Sequence, residues 1–547
     1  MVMFQKLEKV PKKIQYVNNI FLLKCLLFLN IMQAQVDQRF DIFDWEIIGN
    51  NESINSISEG YQYIFFATNG NGVLRYNKFS RKFDQSLSLG QGIKSKKINH
   101  VYFDKNTGIL WLVGSKNLEF SNSREGNWNQ IDYRSMPIKS FNDIKDIGSS
   151  SNYLWIKTFF SYIKLDHVSG RFLGLFSSPD EKVHWGDFNY QDSFQIKNLK
   201  LEDFFVENGL LLTVQGAANQ NGIFSTYISF LETENNLNWI GLSNGYILMV
   251  DNFSKTITPL IEGIEVSIPF TLSVDKKIWI AGIGNGKISS ISSISKKFEN
   301  VKNFKDSRYS NFSYSDIFSS KIIDEEIWFG SDGNIIIYNQ EKDFFRTLGY
   351  EKGIPAERIY FVECLENKVY IGSKNDLIVI DKKTKKIINS DISDLIKKNN
   401  LFIDDFNIIG DRIFFISQGK IYEFDSQEKI NIDRHNNFLQ NEFKSLRVFG
   451  DKDNKYFVTD RGILNNLNDK LIPSSIYFNY KISDILVTNN LLYIGTNGGL
   501  IIYDHERDQI NNFFEFSFIK NIFDMEQVDE YLVLLSSSGL IKLKLSL

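Results

Sequence analysis

A strand, a tight Gly/Asn turn and a second strand recur along the whole of this chain, and that recurrence limits what it can fold into. Residues 63–77 read YIFFATNGNGVLRYN. The unit returns as EIWFGSDGNIIIYN at 326, KVYIGSKNDLIVID at 368 and LLYIGTNGGLIIYD at 491. Seven further copies start at 109, 153, 237, 277, 412, 455 and 531, and a degraded one, GLLLTVQGAANQNG, at 209. The pitch is mostly 40–49 residues, the range of propellers and other arrays. Gly and Asn supply the positive φ that a tight hairpin needs. The flanking runs are apolar on both faces, so each hairpin must be covered on both sides, as in blades packed face to face.

The third position of the first strand holds Phe65, Trp111, Trp155, Trp239, Trp279, Trp328, Tyr370, Phe414, Phe457, Tyr493 and Val533. Five of the chain's eight Trp are spent there. A ligand site would need one or two of these aromatics. Recurrence in nearly every copy points to a large side chain wedged between neighbouring blades.

Two more strands complete the unit. One lies upstream, as in KINHVYFDKNTG (97–108), and one follows a second turn, as in LDHVSGRFL (165–173) and DKKTKKIIN (381–389). Four antiparallel strands make one propeller blade. The expectation is an all-β chain of tandem β-propellers with about twelve four-stranded blades. Twelve exceed an ordinary ring. The widest spacing, near 285–325, places a first propeller at 35–305 and a second at 306–547, about six blades each. FDWEIIG (43–49) is a candidate closing strand. A nested arrangement, with the last hairpins closing the first ring, is the alternative.

LGQGIKSKKINHVYFDKNTGILWLVGS (89–115) resembles the two-component-regulator propeller repeat: a Gly-Leu-Pro-Ser-like start, an apolar strand, an Asp/Gly turn and an lWiGT-like strand. LGYEKGIPAERIYFVECLENKVYIGSKNDLIVID (348–381) is similar to it throughout, and LLYIGTNGGLIIYD in its second half. The resemblance covers nearly all of the chain after residue 40. It implies tandem propellers of exported or periplasmic bacterial proteins, among them sensor regions of hybrid kinases and export-associated surface proteins.

The N-terminus fits that setting. Lys9, Lys12 and Lys13 precede the apolar stretch IFLLKCLLFLNIM (20–32), which is short for a membrane span. Residues 1–34 read as a signal peptide cut after Ala34, with an uncleaved anchor as the alternative; no other stretch approaches transmembrane length. The formal net charge is -4, and removing the leader leaves the rest at -8. A nucleic-acid partner would want a basic stripe, and no block of Lys/Arg stands out. Beyond the leader only Cys364 remains, which excludes an internal disulfide framework.

No constellation announces catalysis. The five His (100, 167, 184, 435 and 505) have no metal-motif spacing. His100 lies in a repeat strand and His167 in a repeat turn, and both read as structural. DKDNK (451–455) lacks the Gly and Glu of a calcium loop, and SDGN (331–334) fills the common hairpin turn. No metal or cofactor is therefore expected. The least repeat-like region is the insertion at 174–203, which concentrates His184, Trp185, Phe188 and Tyr190 among acidic residues. Aromatics set among polar groups compose a recognition patch, and irregular loops often carry function. The competing reading is that these rings seal a blade edge.

Two functions follow. One is an exported, non-enzymatic scaffold binding a protein or glycan at the cell envelope, in the periplasm, at the cell surface or secreted. The other is a carbohydrate hydrolase or lyase with acidic residues in a propeller channel.

Overall fold

The computed structural model describes residues 45–545, apart from 50–51, 122–127, 187–199, 208–209, 219–223, 234–235, 285–289, 305–314, 431–444, 451–454, 460–461, 466–469, 473–479, 489–490, 505–506 and 508. The expected signal peptide at 1–34 lies outside the described residues. Among them, no helix is long and apolar enough to cross a membrane.

The chain is all-β. Each strong repeat becomes the antiparallel core of one sheet, its own strands adjoining in chain order; eleven sheets are present among the described residues, eight of them four-stranded. They are numbered here in chain order by their inner strands. Sheets 1–4 begin with Ile54–Glu59, Ile98–Asp104, Ile144–Ser149 and Phe224–Glu232. Sheets 5–8 begin with Ile268–Val274, Ile317–Ile323, Phe361–Leu365 and Asp405–Ile409. Sheets 9–11 begin with Ser445–Gly450, Ile482–Thr488 and Ile522–Val528.

Local chemistry explains the strand order. In the first hairpin Gly72 takes φ +68°, and a Cβ there would fall 2.1 Å from the Leu87 carbonyl oxygen, so only Gly fits the turn. The second turn is fixed by a side chain. Asp166 accepts the N–H groups of Val168 and Ser169, Asp251 those of Phe253 and Ser254, and Asp381 those of Lys383 and Thr384. These Asx turns reverse the chain into the outer strand.

The wedge expectation holds. Each third-position side chain is at most 7% exposed. Trp279 stacks on Phe304 with centroids 5.4 Å apart and lies 5.0 Å from Tyr338 of the next sheet. Sheet 9 needs a correction. Its strand Lys455–Thr459 is set so that Tyr456 pairs with Phe449, as Trp328 pairs with Lys321 in sheet 6. Tyr456, not Phe457, is the equivalent residue.

The grouping of the sheets also differs from the expectation. The inner strands of sheets 5 to 11 each pack on the next, and that of sheet 11 packs back on sheet 5, giving a closed ring of seven. The other four form an arc, with sheet 4 on 1, 1 on 2 and 2 on 3. A division at 305/306 would cut sheet 5 away from both neighbours. The wide spacing suggests a division there, but packing between non-local strands decides which sheets adjoin. The degraded copy at 209 builds no sheet of its own. Leu211–Leu212 and Gly216–Ala218 extend sheet 4 beyond its inner strand.

Trp45–Ile48, within the expected closing stretch, pairs antiparallel with the last strand, Gly539–Lys544, as the outer strand of sheet 11. The Trp45 carbonyl also accepts the side-chain amides of Gln85 (3.0 Å) and Gln91 (2.7 Å). The same segment thus touches sheet 1 and completes the seven-sheet ring.

Candidate functional site

The inner strands of sheets 1–4 surround a cavity of about 590 Å³, lined by Glu59, Tyr102, Asn106, Ser149, Trp185 and Glu232 among others. That volume falls in the range of small-molecule sites. The insertion contributes directly. His184–Trp185 forms a short strand against the free edge of the sheet 3 inner strand, with Gly148 opposite Trp185 and Ser149 opposite His184. Gly148 makes this approach possible, because a Cβ there would fall 2.5 Å from the His184 oxygen. Tyr102 donates to the His184 carbonyl at 3.1 Å, and its oxygen accepts the Ser149 N–H at 3.0 Å. Burial pushes the Tyr102 hydroxyl up to about 12.

His184 is exposed and Trp185 half-buried at the cavity wall, with the Trp185 ring 5.8 Å from Tyr162. The structure therefore brings two of the four expected recognition residues to one cavity. Phe188 and Tyr190 lie outside the described residues. Glu59 is neutralised by Lys78 (3.0 Å) and Lys105 (3.3 Å), whereas Glu232 is exposed.

Beside the cavity, Asp104 accepts from Ser149 Oγ and Thr107 Oγ1, each at 2.7 Å, and lies 3.4 Å from His167 Nδ1. This is not a nucleophile relay, which needs the imidazole between hydroxyl and carboxylate. Here the carboxylate sits between the other two.

The second concavity is the channel of the seven-sheet ring, about 710 Å³. It gathers Lys321, Glu363, Asp405, Arg447, Asp484, Asp524 and Glu526, as the enzymatic reading required. The bonding of all but Glu526 gives them another task. Asp405 accepts the Val448 N–H (2.8 Å), Asp484 that of Met525 (2.8 Å) and Asp524 that of Leu272 (2.7 Å), each on the next sheet. Ser319 donates to the Ile359 carbonyl at 3.1 Å, and Ser483 to that of Ile522. The inner strands' free backbone groups are thus satisfied by side chains of their neighbours.

Two carboxylates are paired, Glu363 with Lys321 at 2.6 Å and Asp405 with Arg447 at 3.6 Å. Burial raises Asp484 and Asp524, the latter further through the Asp484 charge. Burial and the Asp484 charge push Glu526 up to about 7. Among the described residues, no group of three His, Cys, Asp or Glu could hold a metal ion.

Sequence reasoning missed these stitches, though a signal was present. Ile-x-Asp-apolar opens four inner strands: Ile144–Ile147, 403–406, Ile482–Ile485 and Ile522–Met525. Ser56 and His100 take the Asp place in sheets 1 and 2.

No family model and no curated protein matches this chain. Among solved structures it is similar to the extracellular domain of the hybrid two component system BT4673 from B. thetaiotaomicron, at 13% identity. That likeness covers 89% of this chain and 70% of that one, with a TM-score of 0.41. PorZ, a surface component of the type-IX secretion system of Porphyromonas gingivalis, is 10% identical over 92% of this chain and 87% of its own, with a TM-score of 0.38. The extracellular domain of BT3049 from B. thetaiotaomicron is 15% identical over 90% and 81%, with a TM-score of 0.27.

Proposed function

We propose that this protein is an exported, non-enzymatic scaffold of two propeller-type units that binds a protein or glycan partner at the cell envelope through the cavity of sheets 1–4. The supporting observation is the docking of His184–Trp185 on the inner edge of sheet 3. That placement leaves an exposed imidazole and a half-buried indole on a cavity wall that also carries Glu232. Aromatic anchors in such a setting dominate binding energy. The leader sequence supports export. Glu363, Asp405, Asp484 and Asp524, four of the channel carboxylates on which the enzymatic alternative would draw, are engaged in bonds between sheets.

The test is a Trp185→Ala, Tyr190→Ala double variant, assayed by thermal melting and by pull-down from the native envelope. The expected result is a melting temperature lowered by less than about 4 °C with the partner lost. A large fall in melting temperature, with the partner retained by the folded fraction, would overturn the reading and make the insertion a seal. Glycan-array binding of the purified protein distinguishes the two partner classes.

A further inference from the structure

The seven-sheet ring carries a second feature at its channel mouth. In sheets 5, 6 and 11 the inner strand skips one residue in its pairing, and the skipped residues are Phe270, Phe318 and Phe523. Tyr360 takes the same place ahead of the sheet 7 strand. Centroid distances of 5.9 Å (Phe523–Phe270), 6.0 Å (Phe270–Phe318) and 5.8 Å (Phe318–Tyr360) make one arc across four neighbouring sheets. The opposite side holds Asp404 and Ser483. Unlike the buried wedges these rings are partly exposed, Tyr360 by 40%. Sheets 1–4 place Asn55, Asn99, Lys145 and Ile228 at the same skip. Blade packing therefore does not require an aromatic there.

The surroundings define what the arc accepts. The Arg358 guanidinium lies 5.1 Å from the Phe318 centroid and the Lys374 ammonium 5.4 Å from that of Tyr360. These cations cover ring faces, and two of the three ring contacts are tilted or edge-on, at 52° and 81°. Edges and clefts remain, which suit inserted side chains better than the flat face of a sugar. Arg358 is paired with Asp332 at 3.1 Å. Lys374 and Lys481 are exposed at the mouth and make no ion pair among the described residues. Deeper in, Glu363 and Asp405 are paired, burial favours the neutral forms of Asp484 and Asp524, and burial with the Asp484 charge pushes Glu526 up to about 7. Asp404 is an exposed carboxylate at the mouth, set against the two cations Lys374 and Lys481. The inner-strand N–H groups of Leu272, Val448 and Met525 are taken, so a peptide would not add there as a strand.

We propose that this mouth binds an acidic peptide segment of a protein partner, with an apolar side chain entering the arc of Phe270, Phe318, Tyr360 and Phe523 and flanking carboxylates meeting Lys374 and Lys481. The site is separate from the cavity of sheets 1–4 and does not depend on it.

The probe is a short fluorescein-labelled peptide alternating aspartate with phenylalanine and leucine, titrated into the full chain and followed by anisotropy. Controls are its lysine-for-aspartate counterpart and a labelled oligoglucuronate. The acidic peptide binds saturably and loses affinity as salt rises. Lys374→Glu with Lys481→Glu weakens it at least about tenfold, Tyr360→Ala weakens it as well, and Trp185→Ala leaves it unchanged. Lys374 and Lys481 are exposed, so the double variant keeps the parent melting temperature, which is measured alongside. No saturable binding, equal binding of the lysine peptide, or indifference to the double variant overturns the proposal. Preference for the oligoglucuronate overturns it in favour of a glycan site.

Discussion

Asp524 accepts the backbone N–H of Leu272 at 2.7 Å across 252 residues of chain, and this bond lies at the seam where the seven-sheet ring closes. Asp484 lies alongside; both are half-buried in the channel wall, and desolvation holds both carboxyls above their ordinary range. Asp524→Ala leaves the Leu272 N–H unsatisfied and is expected to cost about 1–3 kcal/mol. Asp524→Asn keeps the acceptor and removes a like charge, so it costs less. Because the folded values are raised, the stability these groups contribute is complete below the unfolded value of about 4. It is lost as pH rises through the folded values. Glu526, pushed up to about 7, extends that window. Urea unfolding between pH 4 and 8 should therefore show a decline with rising pH that is shallower in Asp524→Asn than in the parent.

His100 acts in the opposite sense. It takes the Asp place in the sheet 2 inner strand and is 4% exposed. Burial lowers it to about 4, although a hydrogen bond to the Ile144 backbone opposes the shift. A depressed folded value means the unfolded chain takes up the proton first. Stability is then complete above about 6.5 and is lost as pH falls towards 4, by roughly 3 kcal/mol. His100→Gln should flatten the acid side of the stability profile. Titration of its imidazole signals by NMR should give a midpoint well below 6.

Trp279 and Trp328 lie between sheets at 1% and 0% exposure. Truncating either to Ala should destabilise by roughly 3–5 kcal/mol. At sheet 9, Tyr456→Ala should cost more than Phe457→Ala, because Tyr456 holds the wedge position. Chemical denaturation with tryptophan emission as the probe checks both. Emission maxima of the parent close to those of water-exposed indole would contradict the burial.

The hairpins, the Asx turns and ten of the eleven wedges were legible because each depends on a few neighbouring residues whose spacing repeats. Tyr456 was misplaced by one position because FVTD at 457 can be aligned with either register, and only pairing to Phe449 fixes it. The grouping into four and seven sheets was not legible, since it is decided by contacts such as Leu272 to Asp524 between distant strands. The Asp stitches could have been read from the Ile-x-Asp openings. The aromatic arc could not, because Phe270, Phe318 and Phe523 look like ordinary strand residues until the skip in pairing turns them out of the sheet. Of the expected recognition residues, Trp185 stood out by the composition around it, but its seat beside Gly148 depends on a contact no local pattern encodes.

Trp45 carries the last prediction. Its indole is 2% exposed and meets Phe514, Phe516 and Phe518 at 5.5, 5.8 and 5.3 Å, each close to edge-on. Its carbonyl meanwhile takes the Gln91 amide of the sheet 1 side. Two effects can therefore be separated. Trp45→Ala removes the indole from the ring seam and should cost roughly 3–5 kcal/mol, raising hydrogen exchange in Gly539–Lys544 and Ile522–Val528. Gln85→Leu with Gln91→Leu keeps the indole and removes both side-chain amides that sheet 1 and its following turn offer to the Trp45 carbonyl. It should leave exchange in sheet 11 near the parent's and loosen 82–91 instead. If both variants unprotect sheet 11 equally, the closing strand is held by its contact with sheet 1 and not by the aromatic cluster. If neither does, pairing with Gly539–Lys544 alone suffices to close the ring.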